Sequence, residues 1–591
     1  MDTPAKTNVG CKMDFTYKKD DNRKLFKSLE ENPAFGILEP QNYIPIYNSY
    51  FSLTKSNYNM IMLNHKWKMH EILAEQETNI YKCQLKDTTE KTEKKEKRKV
   101  FLKFSPLLDP IKYLLGKYDT TDATLLKLPS FESTDCHSKA REYNNSAYVD
   151  SFFTYLSSKL LHDHGFAHGM DFYGSFLALK TDFRINIIDD IEYLNDSGFF
   201  KKNDKILYEL EEYDDFNSDT RNYKKKLNFV NVGEEIVLTD IIDTIAVPDA
   251  IAVPDASAVP DTYATLELVT LELTDMETPA IKSNNSSCSS RTSNTSIGED
   301  ENTEEGASED GSDEEDSGSE GGSEGEASAS EEADWDSDGD GEEEMLMAKI
   351  KKFPVQVIAL EHCESTLDEF MTHGKITQEM WDSIVLQILF SLITFQNVFG
   401  LTHNDLHTNN IMYIETGKKF LYYKLNHTYY QVPTFGKLFK IIDYGRAIYK
   451  FRGQTLCSDS YHPEGDAATQ YNCEPYFNDK KPRIDPNFSF DLCRLGCALY
   501  DYLIDEPKSK ILQIMLDWVM DDKGRNILYK KNGDERYPEF KLYKMIARTA
   551  HKHVPANVLS NPYFDKFIVP KKEVMKKIKE VMDLDAMPNY M

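Results

Sequence analysis

Two short runs constrain the fold of this chain more than anything else in it. THNDLHTNNIMYI at 402–414 sets His403, Asp405 and Asn410 in the pattern H-x-D-L-x-x-x-N, and KIIDYGRA at 440–447 places Asp443 two residues before Gly445, behind three apolar or aliphatic-stemmed positions. Each run supplies half of a phosphoryl-transfer site, so a fold that uses them must bring them together. Asp405 is placed to accept or orient the proton of an attacking hydroxyl. Asn410 and Asp443 offer hard oxygen ligands, the type Mg²⁺ takes when it is held against nucleotide phosphates. Gly445 is expected to permit a sharp backbone turn, and His403 reads as a buried structural residue bonded to backbone. An ordinary Asp/Asn turn is the competing reading of the loop. The second run, in the right order, argues against it.

The text on either side reads as a small sheet followed by helices. HEIL at 70–73, NIYKCQL at 79–85 and VFLKF at 100–104 are strand-like, with Val100, Leu102 and Phe104 alternating with Phe101 and Lys103. Val149, Phe152, Phe153, Leu156 and Leu160 give the stripe of an amphipathic helix over 145–161, expected to pack on that sheet. Asp150 lies near its start, where it either pairs with Lys103 across the sheet or simply suits the helix dipole. DFYGSFLAL and RINIIDDIEYL, at 171–179 and 184–194, look like further strands. FPVQVIALEHCESTLDEF at 353–370 reads as an apolar strand, a polar connector and a short helix. Residues 377–400 form a long apolar helix delivering the chain to His403, and 491–503 form another. The tail from 508 reads as helices with charged loops.

Between these parts, residues 196–350 lose the pattern. AVPD occurs at 246–249, 252–255 and 258–261, too short and Pro-interrupted for a solenoid repeat, and an acidic block follows. Of the formal charge of −30, 23 acids with no Lys or Arg sit in residues 299–344, leaving −7 elsewhere. So little apolar surface with so much like charge cannot offset the entropy of ordering, and about 270–345 is expected to be disordered. The Lys-rich run at 91–99 is expected to be a solvated loop, and no basic tract points to direct nucleic-acid binding. Nine Cys without a C-x-x-C pair indicate free thiols in a reducing, intracellular setting, cytoplasmic or nuclear. The N-terminus lacks the apolar segment of a signal peptide. The most hydrophobic window, 383–401, is interrupted by Gln387, Ser391, Thr394, Gln396 and Asn397, which suits a buried core helix and no membrane span.

These motifs resemble the eukaryotic protein kinase-like superfamily, and within it the haspin-like Ser/Thr kinases, of the kind also found in large DNA viruses. The marks are Asp405-Leu406-His407, Ile441 to Tyr444, and the long intervening YYKLNHTYYQVPTFGKLF. The resemblance covers about 70–195 and 353–570. It implies an α+β, bilobal protein-kinase-like fold using ATP and Mg²⁺, with a small β-rich N-lobe over 66–195, an insert over 196–350 and a last strand and hinge over 351–370. A larger helical C-lobe would fill 371–591, and 1–65 would be an extension. Carried over by position, Lys103 contacts the α/β-phosphates with Asp150 as its partner. Leu360 gates the back of the adenine pocket, the Glu361 and Cys363 backbone binds adenine, and Asp491 anchors the catalytic loop from below.

Four departures qualify the match. AEQETN at 74–79, where a nucleotide-covering loop should fall, contains no Gly; Asn404 replaces the Arg that pairs with a phosphorylated activation segment. His407 stands where Lys is usual, and GDAATQYNCEPY at 465–476 replaces A-P-E. The expected function is a protein Ser/Thr kinase acting on a protein substrate. The alternatives are a pseudokinase scaffold that captures basic proteins with its acidic insert, and a small-molecule phosphotransferase. Ser308, Ser312, Ser317, Ser319 and Ser323 in the acidic block are expected targets of an acidophilic kinase.

Overall fold

Alternating side chains build one large sheet in the computed structural model, which describes residues 14–89, 94–211, 346–504, 506, 508–538, 540–574, 576 and 580–591. All of these belong to a single compact unit. The strands are β1 (Ile37–Gln41), β2 (Trp67–Glu77), β3 (Ile80–Asp87), β4 (Lys95–Pro106), β5 (Phe172–Asn186), β6 (Tyr208–Glu211) and β7 (Met347–Glu361). They pair antiparallel in the order β1-β5-β7-β4-β3-β2, with β6 alongside the start of β7. Strand β7 is buried on both faces, and for that reason it reads in sequence as a nearly continuous apolar run. Its Phe353, Val355, Val357 and Ala359 enter one core, while Ile358 and Leu360 enter another on the opposite side.

That second core is shared with two long helices. Helix α1 (Ser146–His164) begins at Asn145, whose side chain accepts from the Ala147 N–H, and ends at Gly165 in the left-handed conformation. The expected one-sided stripe is corrected here: every residue from Ala147 to Leu160 is buried. Phe153 explains it, because on the side away from the sheet it meets Phe395, Phe399, Tyr444 and Tyr449. After the short helix α2 (Leu367–His373) comes α3 (Gln378–Phe399), capped by Thr377 and stopped by Gly400 at φ 60°. Among the described residues α3 is the helix long and apolar enough to cross a membrane, and 94% of its apolar window is buried inside the fold.

Beyond α3, β8 (Ile411–Glu415) pairs with β11 (Lys437–Ile441), and the hairpin β9 (Phe420–Leu425) and β10 (Thr428–Pro433) lies between them in sequence. Helix α4 (Phe490–Ile504) and helix α5 (Lys541–Thr549) follow, and β12 (Val581–Asp583) returns to pair parallel with β9. The tail is therefore not all helix and loop: a three-residue strand carries too little periodicity to be seen in sequence.

Three further expectations are corrected. Lys95 to Lys99 do not lie in a loop but open β4, where Lys95, Lys97 and Lys99 are exposed and Arg98 stacks 4.2 Å over Trp67. The run 184–194 is not a separate strand; β5 continues to Asn186 and a short helix occupies Ile191–Asp196. The span read as an insert from 196 begins later, since a helix at Gly198–Asn203 leads into β6, which joins the sheet as far as Glu211. The AVPD copies, the acidic block, its five serines and residues 1–13 lie outside the described residues.

Candidate functional site

The 402–410 loop is held in place from beneath. Asp491, at the start of α4 and fully buried, accepts the His403 N–H at 3.0 Å on one oxygen and the Asn404 N–H at 2.8 Å on the other. His403 donates from Nε2 to the Ile442 carbonyl at 2.8 Å and accepts the Asp405 N–H on Nδ1 at 3.3 Å, which makes it a structural residue. Asn404 adopts φ 65°, a conformation Asn tolerates. Its amide nitrogen donates to the Arg446 carbonyl at 3.0 Å, and its oxygen accepts from the Tyr471 hydroxyl at 2.7 Å. With both ends of the side chain tied, position 404 is a loop clamp.

Asp405 sits among cations. Its Oδ1 accepts from the Tyr543 hydroxyl at 2.7 Å, its Oδ2 lies 3.8 Å from Arg446 Nε, and its side chain is 11% exposed. Arg494 Nε donates to the same Tyr543 oxygen at 2.9 Å. Burial alone raises the Asp405 pKa, but Arg446, His407, Arg494 and the Tyr543 hydroxyl together bring it down to about 2. Arg446 also pairs with Asp466, so the two guanidiniums are balanced by carboxylates.

Lys103 links the sheet to the second run. In register with Ile358 on β7, it places Nζ 2.8 Å from Asp150 and 3.0 Å from Asp443. Asp150 turns its other oxygen to the Tyr444 N–H at 2.8 Å. The choice left open for Asp150 is thus settled in favour of pairing, and the shorter side chain of an Asp does reach Lys103. Burial raises the Asp150 pKa, while at Asp443 the Lys103 cation outweighs burial and lowers it. The sharp turn expected at Gly445 lies instead at Asp443, which adopts φ 63°. Gly445 serves close approach, since a Cβ there would stand 3.3 Å from Asp443 Oδ1.

Asn410 completes the cluster. Its amide nitrogen donates to the Asp405 carbonyl at 2.9 Å and faces His407 Nε2 at 3.1 Å, which leaves the amide oxygen to act as a ligand. Among the described residues no three His, Cys, Asp or Glu side chains group to hold a metal ion. Mg²⁺ bound through one carboxylate, an amide oxygen, phosphates and water does not require such a group, so Asn410 and Asp443 fit it as a donor set.

At the connector, Leu360 is buried in register with Phe101 and Phe172. The Glu361 carboxylate accepts the Asp171 N–H at 2.6 Å and pairs with Lys440, the residue before Ile441. Lys440 also donates to the Gly169 carbonyl at 2.7 Å. Cys363 is buried, and burial pushes its thiol pKa up. The Gly-free stretch forms the tip of the β2–β3 hairpin, turned at Thr78 and at Asn79, which has φ 63°. The Asn79 carbonyl accepts the Leu102 N–H at 2.8 Å, one residue from Lys103.

Sequence reading missed Lys440, Arg446, Arg494, Tyr471 and Tyr543. Arg494 had a signal, a lone charge inside the apolar DLCRLGC helix. Tyr543 had none, being one of 34 tyrosines and far from either run. No protein-family model and no curated protein matches the chain.

Proposed function

We propose that the chain is an ATP- and Mg²⁺-dependent protein serine/threonine kinase of haspin-like type. In this reading the β1–β7 sheet with α1 is its smaller lobe, and 371–591 the larger, helical one. The observation that carries the proposal is convergence. Lys103, Asp150, Asp405 with Asn410, and Asp443 come from four separate segments, and Lys103 stands within 3.0 Å of Asp443.

Each residue has a task that its surroundings support. Asp405, ionised at neutral pH, accepts the proton of an acceptor hydroxyl. Asn410 and Asp443 would hold Mg²⁺, which supplies charge neutralisation at the phosphates. Lys103, already fixed by Asp150, would offer its ammonium to the α/β-phosphates. Leu360 and the Glu361 and Cys363 backbone would form the adenine wall. The Glu361 carboxylate, tied to Lys440, holds that wall at a set distance from Asp443.

The test is phosphate transfer from labelled Mg-ATP to the protein itself and to basic protein substrates. Asp405→Asn and Asp443→Asn should each lower the rate at least a hundredfold, and chelating Mg²⁺ should abolish it. Equal incorporation by wild type and Asp405→Asn would overturn the assignment. Nucleotide binding without transfer would point to the scaffold alternative, and labelled metabolites to small-molecule phosphotransfer.

A further inference from the structure

The Tyr543 hydroxyl bridges Asp405 and Arg494. It donates to Asp405 Oδ1 at 2.7 Å and accepts from Arg494 Nε at 2.9 Å. A hydroxyl that gives its proton to a carboxylate while its oxygen is held by a cation has the bonding of an acceptor about to be deprotonated. The ring supports the placement: it stacks on Phe540 with centroids 5.5 Å apart, and the Arg494 guanidinium lies 5.1 Å from its centre. Tyr543 is half-buried, and the Asp405 side chain it covers is 11% exposed. It belongs to α5, a nine-residue helix far in sequence from either catalytic run.

We propose that the acceptor's hydroxyl binds between Asp405 and Arg494, and that Tyr543 occupies this seat in the free protein and selects what may replace it. The inference rests on the reading of Asp405 as the base. Arg494 then orients the acceptor oxygen, and a substrate must reproduce both hydrogen bonds of the phenol to displace it. Water can make the same two hydrogen bonds, and by filling the seat Tyr543 keeps it from Asp405 and limits idle hydrolysis. Tyr543 is a specificity residue and not a catalytic one, because it leaves when the substrate enters.

Two measurements on the full-length protein test this, using Tyr543→Phe, which keeps the ring and its packing, and Tyr543→Ala. The first needs no turnover: Asp405 is labelled with a water-soluble carbodiimide and glycine ethyl ester, and the modification is mapped by peptide mass spectrometry. Labelling of Asp405 should rise several-fold in Tyr543→Phe and further in Tyr543→Ala. The second is steady-state kinetics, in which Tyr543→Phe should lower the acceptor KM several-fold with the ATP KM unchanged, and raise ATP hydrolysis in the absence of acceptor. Unchanged labelling in both variants would overturn the proposal, as would a fall in acceptor kcat/KM for Tyr543→Phe. If Tyr543→Ala does not fold, the Phe variant decides alone. Increased labelling with no phosphate transfer by any form would show that Tyr543 covers Asp405 but would overturn the kinase assignment, and the acceptor seat with it.

Discussion

Burial alone would leave Asp405 reluctant to ionise, yet the surrounding charges more than reverse that preference. Its pKa falls from an ordinary 3.8 to about 2, a change worth about 2 kcal/mol of stability. Because the folded value is the lower one, this contribution is complete well above pH 4 and is lost as pH falls through 2. The expectation is therefore a comparison with Asp405→Asn, which cannot ionise. The unfolding free energy of wild type relative to the variant should fall by about 1 kcal/mol from pH 6 to pH 3, and by about 2 kcal/mol at pH 2. Urea titrations at each pH measure it; a difference that stays flat would mean that Asp405 titrates at its ordinary value in the folded protein, and one that rises toward low pH would mean that it is protonated there. The residues doing this were only partly legible in sequence. Asp405, Asn410 and Asp443 stand at fixed spacings within short runs, and Lys103 sits on an alternating strand. Arg446, Arg494 and Tyr543 act through space from places that spacing does not connect.

Among the elements, α1 shows how a single cap can join helix to sheet. Asn145 is fully buried, and its side-chain oxygen accepts the Ala147 N–H at 3.0 Å. The amide nitrogen donates to the carbonyls of Leu107, just past β4, at 2.9 Å and of Lys139 at 3.0 Å. Asn145→Ala removes the cap and strands the buried Leu107 carbonyl, while the Lys139 carbonyl keeps the Glu142 N–H, and should cost about 2 kcal/mol. Denaturant unfolding would show it, whereas a loss below about 1 kcal/mol would mean that the cap is replaceable. Lys103 should feel the change too, since Asp150 rides on the same helix. The two long helices were readable because an Asn or Thr precedes each, a Gly follows, and the apolar spacing persists for several turns. The start of β4 was not, because Lys95, Lys97 and Lys99 stand exposed on the strand and so much charge mimics a loop. The full burial of α1 was hidden as well: Ser151, Thr154, Ser157 and Ser158 read as a polar face, but all four are buried.

At the scale of the whole molecule, buried polar contacts tie the sheet to the elements after α3. Lys440 on β11 holds Glu361 at the end of β7, and His168 bonds the Phe439 carbonyl and the Tyr423 hydroxyl, each at 2.7 Å. Lys139 and Asp459 add a third tie. None of these passes through 212–345, and the sheet itself shows where that segment leaves and returns. Glu211 and Met347 are register partners in the antiparallel β6–β7 pair, followed inward by Leu210 with Ala348, Glu209 with Lys349 and Tyr208 with Ile350. Two strands paired in that way can be joined by a two-residue turn such as Asn-Gly. Counted as chain length alone, replacing residues 212–345 with Asn-Gly leaves three residues, Leu346 among them, between Glu211 and Met347 and shortens the closing loop by about five and a half doublings. At about 0.6 kcal/mol for each doubling, folding should gain roughly 3 kcal/mol. A protein with that internal replacement should keep its near-ultraviolet circular dichroism and melt at the wild-type temperature or a few degrees above it. A Tm more than a few degrees lower would show that 212–345 contributes contacts to the fold as well as length.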